Sequence, residues 1–252
     1  MRELLKLLRC EFTKLKHSKF LLIGVSGTLI VPFFVIVKAV TNYFSNPGTA
    51  ITLFSLYDDA IMFLMLLFAP LVLTVLGAWT ISREYTDGVL KNILVIPVSR
   101  TAFFTGKLLF FAVLTFLFML VSWLEILVSA FLCSFFIPVT GLTILSCLFF
   151  LIKMLFGGIL LCTTETPFIY LTIRTKGFVA PLTAVAVVSL VNVVLSNSGV
   201  AGFFPWSGSY LLVSRRLSGT GCPKEISISI ILLMCLSGIV ASLVRFKREE
   251  VE

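Results

Sequence analysis

Six stretches of this chain are apolar for about 20 residues at a time, the length an α-helix needs to cross the roughly 30 Å hydrocarbon core of a bilayer. They fall at residues 20–40, 60–81, 108–137, 142–163 (with apolar character running on to 171), 178–195 and 226–244. A backbone in lipid has to satisfy its own hydrogen bonds, so runs of this length read as helices. The composition agrees: 59% of the 252 residues are hydrophobic and only 13% charged, against about a quarter charged in a soluble domain. One water-soluble core of this size cannot absorb so much apolar surface. The expected fold is an all-α integral membrane protein, a single six-span domain over residues 1–252.

The basic residues set the expected orientation. Arg2, Lys6, Arg9, Lys14, Lys16 and Lys19 precede the first span, and Arg83, Lys91, Arg100 and Lys107 lie around the connection between the second and third. Arg174 and Lys176 separate the fourth and fifth, and Arg245, Lys247 and Arg248 follow the sixth. The opposite connections hold only Arg215, Arg216 and Lys224, a split of 15 to 3. The basic side is the cytoplasmic one, so both termini are expected in the cytoplasm. Charges clustered between apolar runs do not form a nucleic-acid face, despite the net charge of +8. Of the six cysteines only Cys222 falls in a segment expected outside, so no structural disulfide is implied. The first apolar run is too long for the core of a cleavable signal sequence and is expected to remain as a span.

Ahead of it, Leu5, Leu8, Phe12 and Leu15 recur at spacings of three and four, with Arg2, Lys6, Arg9 and Lys16 on the other face. Residues 1–19 are expected to form a basic amphipathic helix in the cytoplasmic headgroup layer. The plainer alternative is a charged tail that only fixes topology. Residues 196–225 form a long outer segment rich in aromatics, with Phe204-Pro205-Trp206-Ser207 and Tyr210. Short helices dipping into the outer interface are expected there, with Trp206 and Tyr210 at headgroup depth.

The connection at residues 82–107 is the most informative stretch. Asp87-Gly88 is a turn signal. Val89 to Val95 can form two helical turns with Leu90, Ile93 and Leu94 on one face, and Pro97 disfavours helical geometry at Ile96 and ends the element. Ser99 is placed to N-cap the third span, and Lys107 to snorkel back to the interface. A short helix bounded on both sides and held between two spans can dock a partner and pass its motion into the membrane. The plainer reading is a solvated loop whose charges enforce topology.

The pattern Arg83-Glu84-Tyr85, Gly88, Leu94, Pro97-Val98-Ser99-Arg100 and Gly106-Lys107 resembles the permease subunits of type-2 ABC transporters. The amphipathic start, the six spans and the extended outer segment agree with it over essentially the whole chain. The resemblance implies that residues 83–107 carry a coupling helix seated against a separate ABC ATPase subunit. Glu84, Tyr85, Asp87, Gly88, Leu90, Lys91, Asn92, Ile93, Pro97 and Arg100 would then form or frame that contact. It further implies a second permease, identical or sibling, and residence in a bacterial cytoplasmic membrane. No Gly-x-x-x-x-Gly-Lys-Ser/Thr phosphate loop occurs, so ATP and Mg would be held by the ATPase and no cofactor by this chain. The length and the Phe-Pro-Trp-Ser run look most like permeases of lantibiotic or bacitracin immunity transporters, which implies export of an antimicrobial peptide or another amphipathic molecule. The alternatives are export of a sodium ion, a glycan or a lipid, and a non-transporting membrane scaffold.

Charges inside the spans need partners or a wet cavity, because a lone charge at the bilayer centre costs about 2.5–3.5 kcal/mol on insertion scales. Glu125 and Lys153 lie at similar distances, about 14 residues, on either side of a turn near Val139-Thr140, which predicts similar depth and a Glu125–Lys153 pair. Glu165 and Pro167 interrupt the inner end of the fourth run. A helix end in the cytoplasmic interface is expected there in preference to a wet vestibule or kink. Lys38 is expected to snorkel, and Asp58 and Asp59 to suit a helix N-terminus. No catalytic set is expected. Gly24-Val25-Ser26-Gly27 would need a base, and the one histidine, His17, lies about 13 Å away along a helix. A single histidine and scattered cysteines predict no metal site.

Overall fold

In the computed structural model residues 2–16, 20–46, 50–86 and 100–248 are described, and most of them are helical. The elements in order are α1 (Arg2–Lys16), α2 (Phe20–Ser45), β1 (Ile51–Thr52), α3 (Leu53–Phe63), a π segment (Leu64–Phe68) and α4 (Ala69–Thr86). They continue with α5 (Arg100–Cys133), β2 (Val139–Thr140), α6 (Ile144–Thr164), α7 (Thr166–Thr175), α8 (Val179–Leu195), α9 (Pro205–Ser214) and α10 (Lys224–Arg248). Single 3-10 turns at Ala201–Phe203 and Leu217–Gly219 flank α9.

Among the described residues, five helical stretches are long and apolar enough to cross a membrane: Gly24–Ser45, Leu53–Tyr85, Thr101–Cys133, Ile144–Thr175 and Lys224–Phe246. The fifth of the six expected runs is shorter. It forms α8, 17 residues long, about 25 Å at the rise of an α-helix and less than a full hydrocarbon core. Lys176 in the left-handed region (φ 53°) precedes it and a turn from Leu195 to Ser198 follows it. The second run, in contrast, begins earlier than its hydropathy indicates. The Thr52 hydroxyl accepts the Ser55 N–H at 3.0 Å and caps α3 one turn ahead of Tyr57. The resulting rod, α3 through the π segment to α4, is the spine of the bundle.

Apolar side chains face both inward and outward. Tyr57, Phe104, Phe110 and Phe150 are fully buried, whereas Leu22, Leu29 and Phe33 of α2 and Leu232, Leu233 and Leu236 of α10 are exposed. Outward apolar stripes of this extent match lipid contact, not water. In the core Tyr57 stacks on Phe150 at 4.5 Å. Its hydroxyl donates to the Trp123 carbonyl at 3.0 Å, and Trp123 Nε1 donates to the Cys147 carbonyl at 3.0 Å. These bonds join α3, α5 and α6. Asn192 of α8 donates to the Leu66 carbonyl within the π segment at 3.1 Å. The two short strands pair in parallel, Ile51 with Val139 and Thr52 with Thr140, and tie the start of the rod to the α5–α6 connection.

The long segment after α8 folds back into the bundle. α9 is inserted against α6, α10 and the π segment, with Ser207, Gly208, Ser209, Tyr210, Leu211 and Val213 buried. Glycine lets it seat, since a Cβ on Gly208 would lie 2.7 Å from Ser227 Oγ of α10. α9 ends in a Schellman motif: Arg216 N–H donates to the Leu211 carbonyl at 3.0 Å and Arg215 N–H to Leu212 at 3.4 Å. Arg215 occupies the left-handed position (φ 57°) that glycine usually takes.

Candidate coupling site

α4 ends on Arg83-Glu84-Tyr85, and Lys107 stands two turns into α5. Their side chains meet. Glu84 Oε1 accepts from Lys107 Nζ at 3.0 Å and from Lys14 Nζ of α1 at 2.8 Å. Glu11 Oε1 accepts from the same two ammoniums, at 3.4 and 3.2 Å. Lys107 spends its remaining donor on the Thr80 carbonyl at 2.9 Å. Glu84 is 3% exposed, Lys107 6% and Glu11 8%. A buried ion is tolerated only when it is paired and hydrogen-bonded, and here two carboxylates cancel two ammoniums. The pairing has a geometric consequence. Glu84 lies just before residues 87–99 and Lys107 just after them, so the whole connection is closed at its base by one ion pair.

α1 is held to that base by apolar contacts as well. Leu15 is buried against Phe110 and Leu114, with Leu8 and Trp79 beside them, and Phe12 meets Phe110 edge-on at 5.1 Å. Part of the apolar face expected to rest in lipid headgroups is therefore spent on α5. Burial pulls the Lys14 ammonium down. Its hydrogen bond to Glu84 and the charges of Glu11 and Glu84 outweigh that and hold its pKa above the ordinary 10.5.

Glu84 points into the cluster, and Lys107, expected to snorkel, is committed to the same cluster. The reason is mutual: each removes the other's burial penalty. Tyr85 is half-buried, with Lys176 Nζ 5.9 Å above its ring, linking α4 to the end of α7. Arg100 opens α5. Asp87, Gly88, Leu90, Lys91, Asn92, Ile93, Pro97 and Ser99 lie outside the described residues.

The intramembrane charges find other partners than those expected. Glu125 and Lys153 do not meet. Glu125 Oε1 lies 2.9 Å from Thr28 Oγ1 on α2, whereas Lys153 Nζ donates to Asp58 Oδ1 on α3 at 2.8 Å. Counting from the turn addresses depth; the azimuth around each helix sends the two side chains to different neighbours. Asp58 also accepts from Arg216 Nη2 at 2.7 Å, and Asp59 pairs with Lys38 at 2.7 Å. These two acids therefore tie helices together and do not cap one. Glu165 overturns the expected helix end in the interface. It is 1% exposed at the break between α6 and α7, where Thr74 of α4 donates to its Oε2 at 2.6 Å. Trp206 and Tyr210 pack into the bundle. The Trp206 ring lies 5.7 Å from Phe168 of α7, and Tyr210 is 4% exposed, because α9 turns inward.

Sequence reasoning missed Glu11 and Lys14 as a pair reaching α4. The available signal was an acid three residues before a lysine, a spacing that Glu3 and Lys6 share in the same mostly basic stretch. Nothing local marks Asp58 as a partner of Lys153 and Arg216, which are 95 and 158 residues away. Among the described residues no group of three or more His, Cys, Asp or Glu side chains converges to hold a metal ion.

Comparison with known proteins bears on this geometry. The family profile described as ABC-2 family transporter protein matches residues 7–192, which takes in most of α1, α2, the rod, residues 87–99, α5 to α7 and most of α8. The bacitracin transport permease protein BCRB of Bacillus licheniformis is 25% identical over 205 residues, covering 81% of this chain and 96% of that protein.

Proposed function

This chain belongs to the ABC-2 transporter family, and on that premise we propose that it is the membrane permease of an ATP-driven exporter that expels antimicrobial peptides or other amphipathic molecules from a bacterial cytoplasmic membrane. The observation that carries the coupling part of this reading is the Glu84–Lys107 ion pair at 3.0 Å, which closes the base of the 87–99 connection. A push at its tip is then delivered to α4 and α5 together, and through Lys14 to α1. The rod conducts that movement to the far end of the bundle.

Family membership brings an ABC ATPase as partner. ATP and Mg belong to that subunit, and residues 87–93 with Pro97 provide its seat. A second permease, identical or sibling, completes the enclosure, since six spans are few to surround a pathway. α8 completes a sixth span with the help of α9, and the 15-to-3 division of basic residues supports both termini in the cytoplasm. The cargo reading is supported by the bacitracin permease relative.

The test is co-purification of the chain with its ATPase. Gly88→Pro and Lys91→Glu should each abolish association while leaving the permease folded in the membrane. Survival of association through every disruption between residues 87 and 93 would sink the coupling reading. For the cargo, cells carrying the transporter should tolerate a bacitracin-type or lantibiotic peptide better than cells without it, and an Asp87→Lys change should remove that protection.

A further inference from the structure

We propose that the π segment, Leu64–Phe68, is a hinge built into the rod, opened by Pro70 and clasped by Asn192 of α8. This rests on the transport reading and adds the place along the rod where the push becomes a change of shape. The cause lies in the sequence. In an α-helix the amide four residues on would bond the Leu66 carbonyl, but that residue is Pro70, which has no N–H and whose ring crowds the same carbonyl. The chain takes one extra residue into the turn, and the Ala69 N–H reaches back five residues to the Leu64 carbonyl. Asn192 supplies the missing donor, its Nδ2 donating to the Leu66 carbonyl at 3.1 Å. Leu64, Met65, Leu66 and Ala69 are buried and Asn192 is fully so, which leaves no solvent to take that place.

Two further observations place movement here. α8 runs antiparallel to the rod, with Lys176 ahead of it beside Tyr85 and Asn192 beside Leu66. Ser189 lies one turn nearer Tyr85 on the same face of α8, and its Oγ and the Asn192 Oδ1 are buried without a hydrogen-bond partner. Idle polar groups at this depth are costly, and their place beside the wide turn accounts for them. A wide turn that moves along the rod frees a carbonyl and an amide in a new place, and the Ser189 hydroxyl and Asn192 Oδ1 can bond them. The rod is also tied on both sides of the hinge. On one side β1 pairs with β2, Tyr57 donates to the Trp123 carbonyl and Asp58 takes Lys153. On the other, Glu84 is bound to Lys107. A rod held at both ends yields between them, and π turns and prolines are where helices bend.

A π turn is an α-helix carrying one residue too many, so the test takes that residue away. The experiment uses the complete permease–ATPase complex in lipid nanodiscs, with Tm as one reading. The other is the angle between α3 and α4 from cryo-electron microscopy without nucleotide and with ATP and vanadate. Deletion of the half-buried Leu67 together with Pro70→Ala makes the rod a continuous α-helix with both ends still in register. That variant should fold, bind the ATPase and melt within about 4 °C of wild type. Deletion of Val75, also half-buried, turns Glu84 about 100° away from Lys107 and should lower Tm by about 10 °C or more. In the wild type the α3–α4 angle should change by about 10° or more with ATP and vanadate, and in the Leu67 deletion it should stay fixed. Asn192→Leu removes the clasp without a deletion and should show the bent rod already without nucleotide. Equal destabilisation by the two deletions would overturn the hinge. So would an Asn192→Leu rod with wild-type angles in both states, or a constant wild-type angle while other helices move as the ATPases close. A wild-type permease in which no helix moves with ATP would overturn the transport reading, and the comparison of the two deletions would still decide the hinge.

Discussion

Lys107 shows how much one side chain can decide. From the sequence it is a lysine near the start of a long apolar helix, free to reach the interface. In the fold it is 6% exposed with three acceptors, Glu84, Glu11 and the Thr80 carbonyl. Lys107→Met leaves three charges of the cluster, with an excess of carboxylate, and should lower stability by about 3 kcal/mol. In a chain of this size that is a fall in Tm of about 6–12 °C in the purified protein. Adding Glu84→Gln restores the balance between Glu11 and Lys14 and should recover part of the loss. A double variant no more stable than the single one would show that the charges are not coupled. Lys14 adds a pH dependence. Its pKa is held above 10.5 in the folded chain, so its contribution to docking α1 is complete below that pH and is lost as the pH rises past it. Fluorescence of a variant keeping only Trp79, which lies beside Leu15, should change only above 10.5. A transition finished at neutral pH would contradict the assignment.

At the scale of elements, close approach depends on residues without side chains. α10 meets the α6–α7 break at Gly238, where a Cβ would lie 2.6 Å from Thr166 Oγ1 and 2.9 Å from its backbone carbon. Backbone cannot rotate away as a side-chain tip can. Gly238→Ala should therefore cost about 1–3 kcal/mol, read as a lower Tm. Gly199→Ala, with nothing within 4 Å of its Cβ, should have little effect. Equal effects at the two sites would show that α10 does not pack on α7 this closely. The break itself is pinned by the Thr74–Glu165 bond. Thr74→Val keeps the shape and removes the donor, leaving a fully buried carboxyl without a partner at a cost of about 1–3 kcal/mol. Hydropathy places these helices but says nothing about such joints. The interruption at Glu165 and Pro167 is visible in the chain, yet whether it faces water or Thr74 depends on a helix 91 residues away.

For the whole molecule, orientation is the property on which the functional reading turns. Gly219 is in open space after α9, and Cys10 is exposed on α1. In intact cells a membrane-impermeant maleimide should label a Gly219→Cys variant directly and Cys10 only after permeabilisation. Labelling of Cys10 from outside would invert the topology and move residues 87–99 away from any ATPase. The one-dimensional pattern was sufficient for the all-helical membrane class and for five of the long spans. Those properties follow from partition between water and lipid, which each segment undergoes nearly on its own. It was also sufficient for the family, because Arg83-Glu84-Tyr85 and Gly106-Lys107 are local. Only the tertiary structure decided that Glu84 and Lys107 face each other, that Lys153 pairs with Asp58 in place of Glu125, and that α9 enters the bundle where a rim segment was expected. Each of these depends on the angle at which one helix presents a side chain to another. That angle is set by packing across 23 to 158 residues of chain, and no local periodicity encodes it.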